Sequence, residues 1–480
     1  MPISSEVLAR AREAQEEWRD AGLRHRLDCL RLARHRFADA ARELAEACGR
    51  DNVAESLNAE VLTLVDSCKF LERRASEVLA PRTLKKGRPL WMGKVESVVH
   101  REPRGVVLVV GPGNYPLTLP GVQALHALAA GNAVVIKPSP NGVKAMQVFV
   151  RKLSMSDGLV QVLAPDPAEA TAAIRSGVDH VVLTGSAATG RAVLAETNAR
   201  LTTSTMELSG CDAAFVLEGA DVARAAKAVA FGLMLNGGCT CIAPRRVFVA
   251  QSLAGEFESA LRVRLQSAAG SSGGRQCNEM SEAVVLKVRE LLSGSGARVV
   301  CGGFESERLK PLVLGGMDAA DPRANQDLFA PVSFLFEFEA MEEALEKAGH
   351  CPYRLGATVF GPEKAARQFA ELVDAGTVVI NDIIVPTADP RAPFGGRGES
   401  GFGVTRGDEG LLEMTVPKVV SVRKGNFLPH LDGSMPEDAE VFENYIAAVH
   451  GRGHGARIRA WRKLFRSLRE KLQRDQARSA

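Results

Sequence analysis

The chain has 480 residues, 46% of them hydrophobic and 24% charged, a balance that excludes a disordered polymer and calls for two or three domains, since single cores stop growing at roughly 250–300 residues. The net charge of +3 is local, because the last thirty residues hold ten Arg and Lys against Glu470 and Asp475. The body is therefore net acidic, and no nucleic-acid partner is expected.

In chain order, residues 4–80 read as helices, with apolar positions recurring at three- and four-residue spacing through Leu27, Leu30, Leu32, Phe37, Ala41 and Leu44, and again through Val61, Leu62, Val65 and Phe70. A β-like run follows at Lys94–His100. Gly105–Gly111 then encloses five consecutive apolar residues, the composition of a parallel strand buried on both faces. Runs at Ala133–Ile136, Val160–Leu163 and His180–Leu183 alternate with helical stretches, which predicts βαβ units and a parallel sheet. A second alternating series covers Ala213–Leu217, Arg246–Ala250, Val299–Cys301, Val332–Phe338, Ala357–Phe360 and Thr377–Asn381. Residues 426–455, rich in Gly, Pro and acids, read as a linker. Beyond it Ile458, Trp461, Phe465, Leu468 and Leu472 form one helical stripe among Arg and Lys, a basic amphipathic helix suited to an anionic membrane surface or a partner.

Nine cysteines without a CxxC pair fit reduced thiols, not a disulfide frame or metal site. The start Met1-Pro-Ile-Ser-Ser-Glu has no basic-then-apolar leader, and no run of about 18 apolar residues is present. The expectation is a cytoplasmic protein, with peripheral membrane contact through 456–474.

Four segments carry chemistry. The Gly105–Gly111 run ends in Pro112-Gly113-Asn114, placing an amide just past the carboxyl end of a buried strand, where it could donate to an oxyanion. Leu183-Thr-Gly-Ser-Ala-Ala-Thr-Gly190 leads a strand through a small-residue turn into a helix, whose N-terminus favours phosphate. In Met206-Glu-Leu-Ser-Gly210 a lone carboxylate interrupts an apolar run and reads as part of a Gly-rich turn. Thirty-four residues later Asn236-Gly-Gly-Cys-Thr-Cys241 places two thiols in a glycine-rich turn. A thiolate is a strong nucleophile and a semi-buried Glu can activate water. Each motif alone also fits a turn residue, a buried cysteine or a solvated acid.

Taken in order, Pro103–Pro116, Gly131–Ser139, Leu183–Gly190, Glu207–Gly210, Asn236–Pro244, Leu328–Val332, Gly376–Asn381 and Pro393–Gly403 resemble the successive motifs of the aldehyde dehydrogenase superfamily, over about residues 10–425. Asn381-Asp382 and the compact length look nearer to the class containing fatty-aldehyde dehydrogenases. The resemblance implies an α/β fold: a Rossmann-like cofactor domain, a second α/β catalytic domain and a small bridging β element. It implies helices and an NAD(P)-binding domain over 1–206 with a bridging hairpin at 88–100, and a catalytic domain over 207–385. A return to the cofactor domain with a bridging strand follows over 386–425, then linker and basic helix over 426–480. Cys241 matches the nucleophile, Glu207 the general base and Asn114 the oxyanion donor. Lys137, Ser139, Gly185, Ser186, Asp327 and Phe329 match cofactor contacts. The implied reaction is oxidation of an aldehyde to an acid through a cysteine thioester, with NAD or NADP, in a homodimer or homotetramer.

Several positions depart from the family pattern. Gly113 replaces a large residue, Cys239 a Gln, Cys211 a Lys and Asp327 a Glu, and Pro140 stands where a Glu commonly meets the adenosine ribose. Without that carboxylate a 2′-phosphate is not repelled, so NADP is admitted. Cys239 beside Cys241 invites an oxidative link. Two competing readings remain: a CoA-acylating or reductive semialdehyde-forming relative, against which Glu207 argues, and a low-activity member serving as a binding or scaffold protein.

Overall fold

The computed structural model describes residues 3–269, 275–294, 296–425 and 428–479. By contacts the chain forms two units. One comprises 1–82 and 99–418; the other comprises 83–98 and 419–480.

The larger unit is built on two sheets. The first has the spatial order Gly401–Phe402, Thr203–Glu207, His180–Thr184, Val106–Val110, Ala133–Lys137, Val160–Val162, and all pairings are parallel except the first. Chain order runs outward in both directions from Val106–Val110, so the strand order reverses between that strand and His180–Thr184. Ligands of open α/β sheets sit at such a switch point, beyond the carboxyl ends of the strands. Every residue of the three central strands is buried. The core they form extends to Leu30, Phe37, Leu64 and Leu71 of the N-terminal helices.

The second sheet orders Arg275–Gln276, Arg308–Gly315, Val332–Phe338, Pro244–Ala250, Asp212–Val216, Gly356–Phe360 and Thr377–Ile380, with Arg298–Glu305 antiparallel on Arg308–Gly315. Its two faces hold separate cores, one around Phe215, Phe248, Phe334 and Phe369 and the other around Val216, Phe257, Leu261 and Phe360. The α/β class with two parallel sheets agrees with expectation.

Three elements differ from the sequence reading. Residues 88–100 form no hairpin: a 3₁₀ turn at Leu90–Met92 precedes one strand, Val95–Pro103, which lies between Arg82–Thr83 and Thr415–Arg423 in a three-stranded sheet. The Pro89 and Gly93 flanks of that turn stop strand pairing there. Glu207 lies not in a turn but at the end of the Thr203–Glu207 strand. The 426–455 linker contains a helix, Ala439–His450, buried through Val441 and Ala448; its residues 426–427 lie outside the described ones.

In the smaller unit this helix pairs with His454–Ser479 in an antiparallel hairpin. Asn444 donates to Ser467 Oγ at 3.1 Å, Lys471 to Asp438 at 2.6 Å and Arg457 to the Ala448 carbonyl at 3.1 Å. Among the described residues, no helix is long and apolar enough to cross a membrane.

Candidate active site

The switch point opens on a cavity of 510 Å³ bounded by Asn114, Gly185, Ser186, Glu207, Cys241, Asp327 and Phe329. Seven of the nine residues singled out in the sequence thus share one space. Lys137 and Ser139 lie beside it at the end of the neighbouring strand: Lys137 pairs with Val110, and Ser139 Oγ donates to the Pro112 carbonyl at 3.0 Å. A second cavity, also 510 Å³, lies between the helical layer and the 384–406 loops. Cys241 and Glu207 line both. The thiol and the carboxylate therefore stand where two pockets meet.

The Asn236–Cys241 loop is shaped by backbone constraints. Asn236, Gly237 and Gly238 have positive φ values of 53°, 61° and 77°. At Gly238 a Cβ would come within 2.4 Å of the Pro331 nitrogen, so only glycine fits. A Cβ on Gly210 would meet the Cys241 carbonyl at 2.3 Å, which fixes glycine beside the thiol as well. Arg245, 1% exposed, donates to the carbonyls of Gly238 and Ala330 at 2.5 Å each, clamping the thiol loop to the 327–331 loop.

The Asn114 side-chain amide donates to the Cys239 carbonyl at 2.9 Å, and the Asn114 backbone carbonyl accepts from Asn236 Nδ2 at 2.9 Å and Arg50 Nη2 at 2.8 Å. Arg50 in turn pairs with the buried Glu60 at 2.9 Å. A primary amide carries two protons, so one remains for an oxyanion. All nine cysteines are free, so the Cys239–Cys241 link is not made. Cys239 points away, towards the Phe329 carbonyl at 3.3 Å, and accepts from Arg275.

Glu207 is 2% exposed, and burial raises its carboxyl above the ordinary range; Oε2 accepts from Thr405 Oγ1 at 3.2 Å while Oε1 is unpartnered. Burial and the carboxylates of Glu207, Asp212 and Asp327 push the Cys241 thiol well up, opposed by the Arg406 guanidinium. Asp327 is pushed up to about 6 by burial, held down in part by Arg245, and its Oδ2 is unpartnered. Ser186 caps the Ala187–Asn198 helix by accepting from the Thr189 N–H at 3.1 Å. Burial lowers the Lys137 ammonium.

This donor set fits a dinucleotide. A helix N-terminus for a pyrophosphate and an orphaned carboxylate for ribose hydroxyls border one cavity, with the Lys137 ammonium beside it. The sequence reading missed Asn141, Thr184 and Arg275 on this side and Gln123, Thr387, Thr405 and Arg406 on the other. Thr184 lies inside the Leu183–Gly190 motif, whereas the others belong to no recognisable motif; Thr405 and Arg406 fall just beyond Pro393–Gly403.

The family model "Aldehyde dehydrogenase family" matches residues 4–420. A putative NADP(+) succinate-semialdehyde dehydrogenase of Mycolicibacterium smegmatis is 28% identical over 438 residues, 87% of this chain and 84% of the relative. The dimeric NADP-preferring aldehyde dehydrogenase of Canis lupus familiaris is 28% identical over 419 residues, 84% and 91% of the two chains. The NAD+ complex of an aldehyde dehydrogenase from Bacillus cereus shares the fold with a TM-score of 0.80 at 24% identity, over 87% of this chain and 88% of that one. With its cofactor-shaped cavity meeting a second pocket at a thiol and a carboxylate, the chain belongs to the aldehyde dehydrogenase family and is an NAD(P)-dependent enzyme that oxidises an aldehyde to a carboxylic acid.

Proposed function

We propose that Cys241 is the nucleophile, Glu207 the base for water and Asn114 the oxyanion donor. The observation that carries this is the position of Cys241 and Glu207 on the boundary of both cavities. The aldehyde enters through the pocket lined by Phe231, Ile242, Ile384 and Phe394. The Cys241 thiolate adds to its carbonyl carbon, and the resulting oxyanion accepts from Asn114 Nδ2 and the Cys241 backbone N–H. NAD(P) held by the residues named below would supply the acceptor for the hydride that leaves this carbon. The thioester on Cys241 is then attacked by a water whose proton passes to Glu207, releasing acid and thiolate.

Lys137, Ser139, Gly185, Ser186, Asp327 and Phe329 hold the cofactor in this reading. Residues 1–206 with 386–425, less the 83–98 and 419–425 segments of the smaller unit, form its domain, and 207–385 form the catalytic one. NADP is accepted alongside NAD, because Pro140 stands where a Glu carboxylate would repel a 2′-phosphate. In the assay that tests this, reduced cofactor and free acid form from NAD or NADP without CoA; a strict need for CoA would move the assignment to the acylating reaction.

The enzyme works as a homodimer or homotetramer in a reducing, cytoplasmic setting, in keeping with nine free thiols. Its C-terminal hairpin contacts anionic membrane surfaces. The helix His454–Ser479 packs on its neighbour through Ala460, Leu464 and Ser467, leaving Ile458, Phe465 and Leu472 exposed along another stripe. Phe442 and Ile446 of the antiparallel helix are exposed too, and helical geometry puts both stripes on the same side of the hairpin. Arg462, Arg466 and Arg469 flank this apolar face, a charge that selects acidic headgroups. Vesicles containing phosphatidylserine should sediment the enzyme while neutral phosphatidylcholine vesicles leave it in solution; equal behaviour with both contradicts the contact.

A further inference from the structure

The aldehyde pocket has an internal electrostatic problem. Its lining includes the carboxylates of Glu207, Asp66 and Asp389, and its one cation among the described residues is Arg406. Glu207 Oε1 and Arg406 Nε are both shielded from solvent and both unpartnered, so opposite charges face the same space without touching. Ser67 Oγ and Gln123 Oε1 of this lining are likewise unpartnered.

The backbone goes out of its way to put the guanidinium there. Arg406 has φ 63° and ψ 171°, a conformation that is essentially glycine's alone and that persists in other residues where the surroundings enforce it, commonly at functional sites. Here the surroundings do so. Thr405 and Phe394 exchange backbone hydrogen bonds of 2.8 and 2.7 Å, Arg406 Nη1 donates to the Thr387 carbonyl at 2.6 Å, and the guanidinium lies 4.6 Å from the Phe394 ring centroid. Thr405, the preceding residue, holds Glu207 Oε2. The cation and the base are thus fixed by one turn.

We infer that Arg406 is a positioning residue which keeps Glu207 ionised and favours the thiolate of Cys241, acting through these two groups and not on the aldehyde. The inference rests on the roles proposed for them. Other groups facing the pair do not supply this charge. Asp212 and Asp327 are acids that oppose thiolate formation. Burial keeps His126 neutral by lowering it to about 4 and pushes the Tyr115 hydroxyl up, while Asp389 is paired with Arg391 at 2.6 Å. On the cofactor side Arg245 is taken up by the Gly238 and Ala330 carbonyls, and Arg275 is directed to Cys239 and the Phe329 carbonyl at 2.8 Å.

Loss of a nearby cation raises the pKa of neighbouring acids, so both charged forms then require higher pH. The test uses the full-length enzyme with Arg406→Gly, Arg406→Met and Arg406→Lys. Glycine adopts this backbone without strain, so the first variant removes the charge while keeping the turn; cofactor binding confirms the fold of each. The readout is iodoacetamide labelling of the Cys241 peptide against pH, followed by mass spectrometry, together with the pH profile of kcat. The Gly and Met variants should move both midpoints upward by about one pH unit, a tenfold loss of the charged form below them, while Lys restores most of the shift. Unmoved midpoints in the Gly and Met variants overturn the inference, as does a Lys variant no better than Met. Labelling is read on Cys241 whether or not that residue turns over, so failure of the proposed catalytic roles shows separately as activity that survives loss of the thiol.

Discussion

Replacing Cys241 with alanine should lower aldehyde oxidation by at least about 10⁴-fold, because the proposed mechanism makes its only covalent link through this thiol and no neighbour can take its place. Cys239 is the nearest thiol in sequence, but its sulfur is occupied by Arg275 and faces the Phe329 carbonyl on the cofactor side. It lines only the cofactor cavity, whereas Cys241 also opens into the aldehyde pocket. The thiol loop is set by Gly238, Arg245 and Asn114, none of which depends on the Cys241 sulfur, so the variant should still bind cofactor. Steady-state formation of reduced nicotinamide, with cofactor titration as the folding control, measures the loss. Retention of more than a tenth of the activity would remove Cys241 from the chemistry.

Replacing Glu207 with glutamine separates the two halves of the reaction. The amide keeps the shape of the side chain at the end of its strand and its contact with Thr405, but cannot accept a proton from water. Acylation still delivers one hydride per active site, whereas hydrolysis slows by about 10²–10⁴-fold, the usual span for a lost general base. Rapid mixing should show a burst of one reduced cofactor per site followed by a slow steady rate. In the parent enzyme the acid limb of hydrolysis lies above the ordinary carboxylate range, since burial raises Glu207 and its protonated form is inactive as a base.

The elements that reveal themselves in the sequence are those whose side chains meet only apolar neighbours. Val106–Val110 is buried on both faces of its sheet, and its continuous run of Val and Leu says so directly. The Thr203–Glu207 strand, which carries the proposed base, is hidden for the opposite reason. Thr203 and Thr205 bond to His180 Nδ1 and Nε2 at 2.8 and 3.2 Å, a polar cross-strand ladder that no hydrophobic pattern reports. Ala439–His450 is concealed likewise, since only Val441 and Ala448 are buried in a window dense with Gly, Pro and acids. In the site, residues fixed by glycine-rich turns were legible because turn geometry restricts the local sequence. Arg406 was not, because its significance comes from burial beside groups nearly two hundred positions away in the chain, and its strained φ leaves no compositional mark.

The most direct test of the central claim is to mix the Glu207→Gln enzyme with an aldehyde and NAD or NADP, quench in acid, and determine by peptide mass spectrometry which side chain carries the acyl group. One acyl group per chain is expected, on the Cys241 side chain, appearing with the burst of reduced cofactor. An acyl group on Cys239 or another residue, or a burst with no covalent adduct at all, would contradict it.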